Sequence, residues 1–242
     1  LDYDKLCEII RISHETMSIW QDCYLLRKAS PCPMPTEDHF SAMVPAFYNL
    51  GTEETLNFYK ELYAEVKHRL DNKMGIIPEE KCRLLWSGGL PPWHSMWILN
   101  YFESLGAVFC MDMIYRPYEP IDVPVKIEDD PITYLAWRSF LRWVWFHDGA
   151  KAGPRNIAVQ EVLELVNDYK IDGTVKHATR TCRANTIGLK FLAEAVREDV
   201  KIPVLLLTSD MVDTRDYSEA SWKANIETFV EMVDVHKKKP RK

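Results

Sequence analysis

Apolar residues in the first 28 positions recur at helical spacing: Leu6, Ile9, Ile10, Met17, Trp20, Tyr24 and Leu25. The recurrence predicts one long amphipathic helix over 1–28, ended by Pro31, Pro33 and Pro35. A second helix is expected over 39–50. Thr52 then has the chemistry of an N-cap for a third helix, carried by Leu56, Tyr59, Leu62, Tyr63, Val66 and Leu70 and closed by Gly75 and Pro78. From Arg83 the pattern changes. Continuous apolar runs near 83–87, 107–111, 173–177 and 204–208 read as strands covered on both faces. Helical periodicity fills the intervals at 95–105, 131–146, 154–169 and 186–196, with 218–235 last. The expected fold is α/β: a helical N-terminal section, 1–78, followed by a mostly parallel four-stranded sheet flanked by helices, 79–242. Leu84, Val108, Val175 and Leu205 should lie on adjacent strands of one parallel sheet.

In such sheets ligands bind beyond the carboxyl ends of the strands. The segments there, 88–94, 112–117, 178–183 and 209–215, are the least core-like and most chemically varied pieces of the chain, and they are expected to converge at one edge. Gly88 and Gly89 follow a strand, but neither G-x-G-x-x-G nor G-x-x-x-x-G-K-[ST] is present, which argues against a nucleotide site. Pro91 and Pro92 fix a stiff turn that presents Trp93 and His94, as a binding wall or as ordinary packing. Asp210, Asp213 and Asp216 have the oxygen chemistry for a divalent cation, yet capping and pairing with Arg215 is the better reading. His14, His68 and His147 fall in helical stretches and read as ordinary surface or core residues.

Cys182 stands out. It lies between Arg180 and Arg183, after a strand and before a helix, where free N–H groups and the helix dipole favour an anionic sulfur. Nucleophile, metal ligand and ordinary packed thiol are all open to it. The other cysteines (Cys7, Cys23, Cys32, Cys82, Cys110) form no C-x-x-C pair with it or with one another, which speaks against a disulfide framework or a structural zinc site.

The 242 residues, 47% hydrophobic and 12% aromatic, suffice for a substantial core in one or two domains. The net charge of -6 argues against nucleic-acid binding, since the one basic run is the tail from His236. No apolar stretch approaches the ~20 residues needed to span a bilayer, and no signal segment opens the chain, so a cytoplasmic protein that makes no membrane contact is expected. The chain opens at Leu1 in helical sequence, and a portion of a longer protein is expected.

The segments RLLWSGGLPPWH at 83–94, GAVFCMDMIYRP at 106–117, KIDGTVKHATRTCRANTIG at 170–188 and IPVLLLTSDMVDTRDYSEA at 202–220 together resemble the 2-hydroxyacyl-CoA dehydratase and benzoyl-CoA reductase family. The resemblance runs along essentially the whole chain and covers the later part of a family subunit. TRTCR, followed by a small and polar helix start, places Cys182 on the family's N-R-S-C-K type motif, which implies the third cysteine ligand of a 4Fe-4S cluster. The first two ligands are absent from this sequence. The family's chemistry further implies a homologous second subunit, an ATP-dependent iron-sulfur activator protein and an acyl-CoA substrate. In the dehydratases the delivered electron makes a ketyl radical so that the hydroxyl can leave; in the reductases it enters an aromatic ring. Trp93, His94, Arg180 and Ser209 are expected to border the substrate cavity, with Trp93 and His94 shaping the acyl pocket. An (R)-2-hydroxyacyl-CoA dehydratase subunit is the first functional expectation, a benzoyl-CoA reductase subunit the alternative, and a non-catalytic α/β binding or scaffold subunit the rival.

Overall fold

A computed structural model describes residues 2–88, 91–117, 122–147 and 157–238. Gly89, the start of the helix expected from Pro154 and the end of the basic tail lie outside the described residues, as does the side chain of His147. Three helices come first: α1 (Tyr3–Leu26), α2 (Thr36–Tyr48) and α3 (Glu53–Asp71). Asp2 caps α1 and Thr52 caps α3, each accepting a hydrogen bond from the backbone three residues on. The order then alternates: β1 (Cys82–Trp86), α4 (Trp97–Ser104), β2 (Ala107–Asp112), α5 (Pro131–His147), α6 (Ile157–Asp168), β3 (Gly173–Thr179), α7 (Arg183–Thr186), α8 (Leu189–Ala195), β4 (Val204–Ser209) and α9 (Glu219–Lys237).

The four strands form one sheet in the order β2-β1-β3-β4, with every pairing parallel. Leu84, Val108, Val175 and Leu205 lie one on each strand, as expected. The β1–β2 register shifts at Leu84 and Leu85, so that Leu84 pairs with Phe109 and Leu85 with Met111, passing over Cys110. β1, β2 and β3 are buried along their whole length, the condition their continuous apolar runs implied.

Each face of the sheet carries its own core. Leu84, Trp86, Phe109, Val175 and Leu207 pack against α4 and α9 through Ile98, Phe102, Trp222, Ile226 and Phe229. On the other face Leu85, Val108, Met111 and Val204 meet Val162, Val166, Ala193 and Val196. α9 approaches so closely that a Cβ at Gly173 would lie 2.7 Å from Val233, which is why the first residue of β3 has no side chain. The helix expected over 186–196 is two pieces, because Gly188 turns into the left-handed conformation (φ +82) between α7 and α8.

α1 joins the helical section to the sheet. Met17 and Trp20 pack with Ala46 and Tyr59 among the helices, whereas Tyr24, one turn on, packs against the sheet. Beyond it, fully buried Arg27 donates to the carbonyls of Met34 and Phe109 and to Thr36, and its guanidinium lies 3.5 Å from Asp112. His39 completes this buried cluster. Its Nε2 donates to the Tyr115 carbonyl at 3.0 Å and its ring stacks on Trp20. Burial, reinforced by Arg27 and opposed by Asp112, pushes its pKa down to about 4.

That shift makes His39 an acid-sensitive point of the fold. In the unfolded chain this imidazole takes up a proton near pH 6.5, whereas in the folded chain it resists until about pH 4. Its contribution is fully present above pH 6.5 and is lost as pH falls from 6.5 toward 4, by about 3 kcal/mol in total. Denaturant melts at pH 7 and pH 5 should therefore show a destabilisation that His39→Gln diminishes. An equal loss in both proteins would assign the acid sensitivity elsewhere.

Candidate functional site

The order β2-β1-β3-β4 makes the chain leave β1 in one direction toward β2 and cross in the other toward β3. Between β1 and β3 the winding reverses, and in open α/β sheets the ligand crevice lies at that reversal, beyond the carboxyl ends. Ser87 and Gly88 end one side of it; Thr179 to Cys182 end the other.

Asp210, just past β4, holds these ends together. Its carboxylate accepts from the Thr181 hydroxyl after β3 and from the amides of Val212 and Asp213 in its own turn. Those donors, Thr181 foremost, hold its pKa down to about 2. Its backbone carbonyl accepts from His94 Nε2 at 3.1 Å, tying in the loop after β1. The His94 ring stacks on Tyr217 with centroids 4.8 Å apart. The loop after β2 joins through Tyr115, whose ring meets those of Trp93 and Phe40. All four post-strand segments thus meet at one edge.

The expected site residues occupy this edge at different depths. Trp93 is partly exposed, held by Phe40 and Tyr115. His94 is half-buried, with Nδ1 on the Ser95 hydroxyl and Nε2 on Asp210, so both ring nitrogens are engaged. Arg180 is exposed and pairs with Asp216 at 2.6 Å, while its backbone N–H bonds Ser209. Ser209 is fully buried beneath the rim, between His177 Nε2 at 2.8 Å and the Asp210 carbonyl at 2.7 Å. Asp213 caps the short 3-10 turn at Thr214–Asp216 and pairs with Arg215, the capping role read from the sequence.

Cys182 occupies the N-cap position of α7 with an extended backbone. Its N–H bonds the Thr179 carbonyl, and its own carbonyl accepts from Thr186. The thiol is half-buried, with Ile187 and Phe191 exposed nearby in sequence. A half-buried sulfur at the ligand edge of a parallel sheet fits one corner of an iron-sulfur cluster. Among the described residues no group of three or more His, Cys, Asp or Glu side chains forms a metal site.

One residue at this edge escaped the sequence reading: Lys176. Its side chain is fully buried in the middle of β3, and Nζ donates to the Ser87 carbonyl at 3.0 Å. A lysine inside a run read as buried on both faces was the available signal.

Comparison with known proteins agrees with the resemblance. The chain is 24% identical to the (R)-phenyllactyl-CoA dehydratase alpha subunit of Clostridium sporogenes, covering 96% of this chain and 54% of that subunit. It is 25% identical to a subunit of benzoyl-CoA reductase from Thauera aromatica, again over 96% of this chain and 54% of the relative. The alpha subunit of lactoyl-CoA dehydratase from Anaerotignum propionicum is 27% identical, over 97% of this chain and 54% of the relative. The chain therefore spans about half the length of the curated relatives it matches. With a family match running through residues 1–233, the chain belongs to the family described as 2-hydroxyglutaryl-CoA dehydratase, D-component.

Proposed function

We propose that this chain is the later part of one subunit of a cytoplasmic acyl-CoA enzyme of the (R)-2-hydroxyacyl-CoA dehydratase type, with Cys182 as one ligand of a 4Fe-4S cluster. The observation that carries the proposal is the placement of Cys182: a thiol at the β1–β3 crevice of a parallel sheet, in a chain whose family match spans that position. When bound, such a cluster supplies a low-potential electron to the thioester. This chain's residues build the surroundings. Asp210 locks the loops after β1 and β3 to its own turn. Trp93 offers an apolar wall to the acyl group, and His94, fixed in its Nε2–H form by the Asp210 carbonyl, stiffens that wall. Arg180 brings positive charge to the rim, shared with Asp216. Ser209 acts from beneath by holding the carbonyl of Asp210 that seats His94.

A homologous second subunit and an ATP-dependent iron-sulfur activator complete the proposed system. The second reading, ring reduction, is favoured by the similarity to the Thauera aromatica benzoyl-CoA reductase. The assay is anaerobic turnover by the intact complex with activator, ATP and reductant, offered an (R)-2-hydroxyacyl-CoA and benzoyl-CoA separately. Elimination of water from the first supports the proposal, and reduction of the second substitutes the alternative. Turnover of neither leaves the chain a binding or scaffold component.

A further inference from the structure

We infer that Lys176 is a positioning residue of the candidate site: its buried ammonium, set between β1 and β3 beneath the crevice, raises the reduction potential of a cluster ligated by Cys182. The inference rests on the cluster reading of Cys182 and adds to it a residue from the interior of the sheet.

Position comes first. The strand pairing continues past β1, where the Ser87 N–H bonds the Val175 carbonyl and the Gly88 carbonyl accepts from His177. Lys176 lies between those two rungs, and its Nζ takes the remaining carbonyl, that of Ser87. A Cβ on Gly88 would stand 3.7 Å from Nζ and 3.3 Å from Leu189 of α8, so the ammonium sits directly under the glycine that opens the loop after β1. α7 and α8, the helices entered through Cys182, contact β3.

Charge comes second. The Lys176 side chain is fully buried, and among the described residues no carboxylate pairs with it. An isolated buried cation is costly unless a negative group compensates it. Burial lowers its pKa to about 8, so the ammonium form still prevails at neutral pH. Arg180 and Arg183 are exposed, and water and salt screen them. Of these three cations, Lys176 is the one withdrawn from water. A cluster that gains an electron gains negative charge, and a nearby unscreened cation favours that reduced state.

The competing explanation is that Lys176 merely ties Ser87 to β3. Lys176→Gln retains a hydrogen-bond donor without the charge, Lys176→Met removes both, and Lys176→Arg retains the charge. In the full-length complex, the cluster's midpoint potential is read by EPR-monitored redox titration, with iron content measured alongside. The expected result is a more negative potential in both neutral variants, a near-wild-type potential in Lys176→Arg, and iron content unchanged in all three. Neutral variants with full iron and the wild-type potential would overturn the role of Lys176 while leaving Cys182 as a ligand. A wild-type complex without iron would overturn the cluster reading and this inference with it.

Discussion

Cys182→Ser in the full-length subunit is expected to lower cluster iron and abolish turnover while the fold survives. A hydroxyl is a harder and far less acidic donor than a thiol, so the iron-thiolate bond has no adequate replacement. Little packing is lost, since the sulfur is half-buried and the turn is built from backbone and Thr186 contacts that serine leaves in place. The interior cysteines are the controls. Cys82 and Cys110 are fully buried, and burial pushes the thiol of Cys82 up to about 11 and raises that of Cys110 well above its ordinary value. Serine at either site should act through stability, costing on the order of 1–3 kcal/mol if the new hydroxyl is left unpaired. Iron content, turnover and denaturation midpoints of the three variants separate these effects. Wild-type iron and turnover in Cys182→Ser would remove the main support for the proposed function.

The largest stability effect is expected at Arg27. Its guanidinium joins the end of α1, the Met34–Thr36 segment and the edge strand β2, with every contact buried. Arg27→Met keeps much of the volume but strips Asp112 of its guanidinium and leaves carbonyls of Met34 and Phe109 without this donor. Removing one partner of a buried ion pair costs about 3–5 kcal/mol, because the other charge stays in a low-dielectric setting without compensation. The Asp112 carboxylate still accepts from the Tyr115 amide, so the loop after β2 should hold its shape. Adding Asp112→Asn to Arg27→Met removes the stranded charge and should recover part of the loss. Equilibrium denaturation of the single and double variants checks this. A single-variant loss below about 1 kcal/mol, the scale of an ordinary surface ion pair, would show that apolar packing alone joins the helical section to the sheet.

The sheet was legible because helices cover both of its faces. Strands so covered must be apolar with little interruption, and the runs at β1 and β2 stand out for that reason. The helix cap at Thr52 was legible too, since capping chemistry is local. The break at Gly188 was hidden because the apolar spacing continues across it, and only the left-handed backbone reveals the two pieces. The cluster of Arg27, His39 and Asp112 joins residues 85 positions apart, a pairing that periodicity does not encode. The candidate edge was found by the general rule for strand ends. Its internal connections were not, because the hub is Asp210, whose backbone carbonyl and carboxylate do the joining. Ser209 shows the same limit: following a strand end places a residue near the rim but does not decide whether it faces the crevice or the interior.

Cys182 as a cluster ligand at the β1–β3 crevice is open to direct chemical analysis. Its most direct test is iron and acid-labile sulfide analysis of the anaerobically purified full-length complex, with EPR of the dithionite-reduced protein. The expected result is a brown complex carrying stoichiometric iron and sulfide, with a reduced-cluster signal that disappears or changes in Cys182→Ser. A colourless complex free of iron, or a signal indifferent to Cys182, would contradict it.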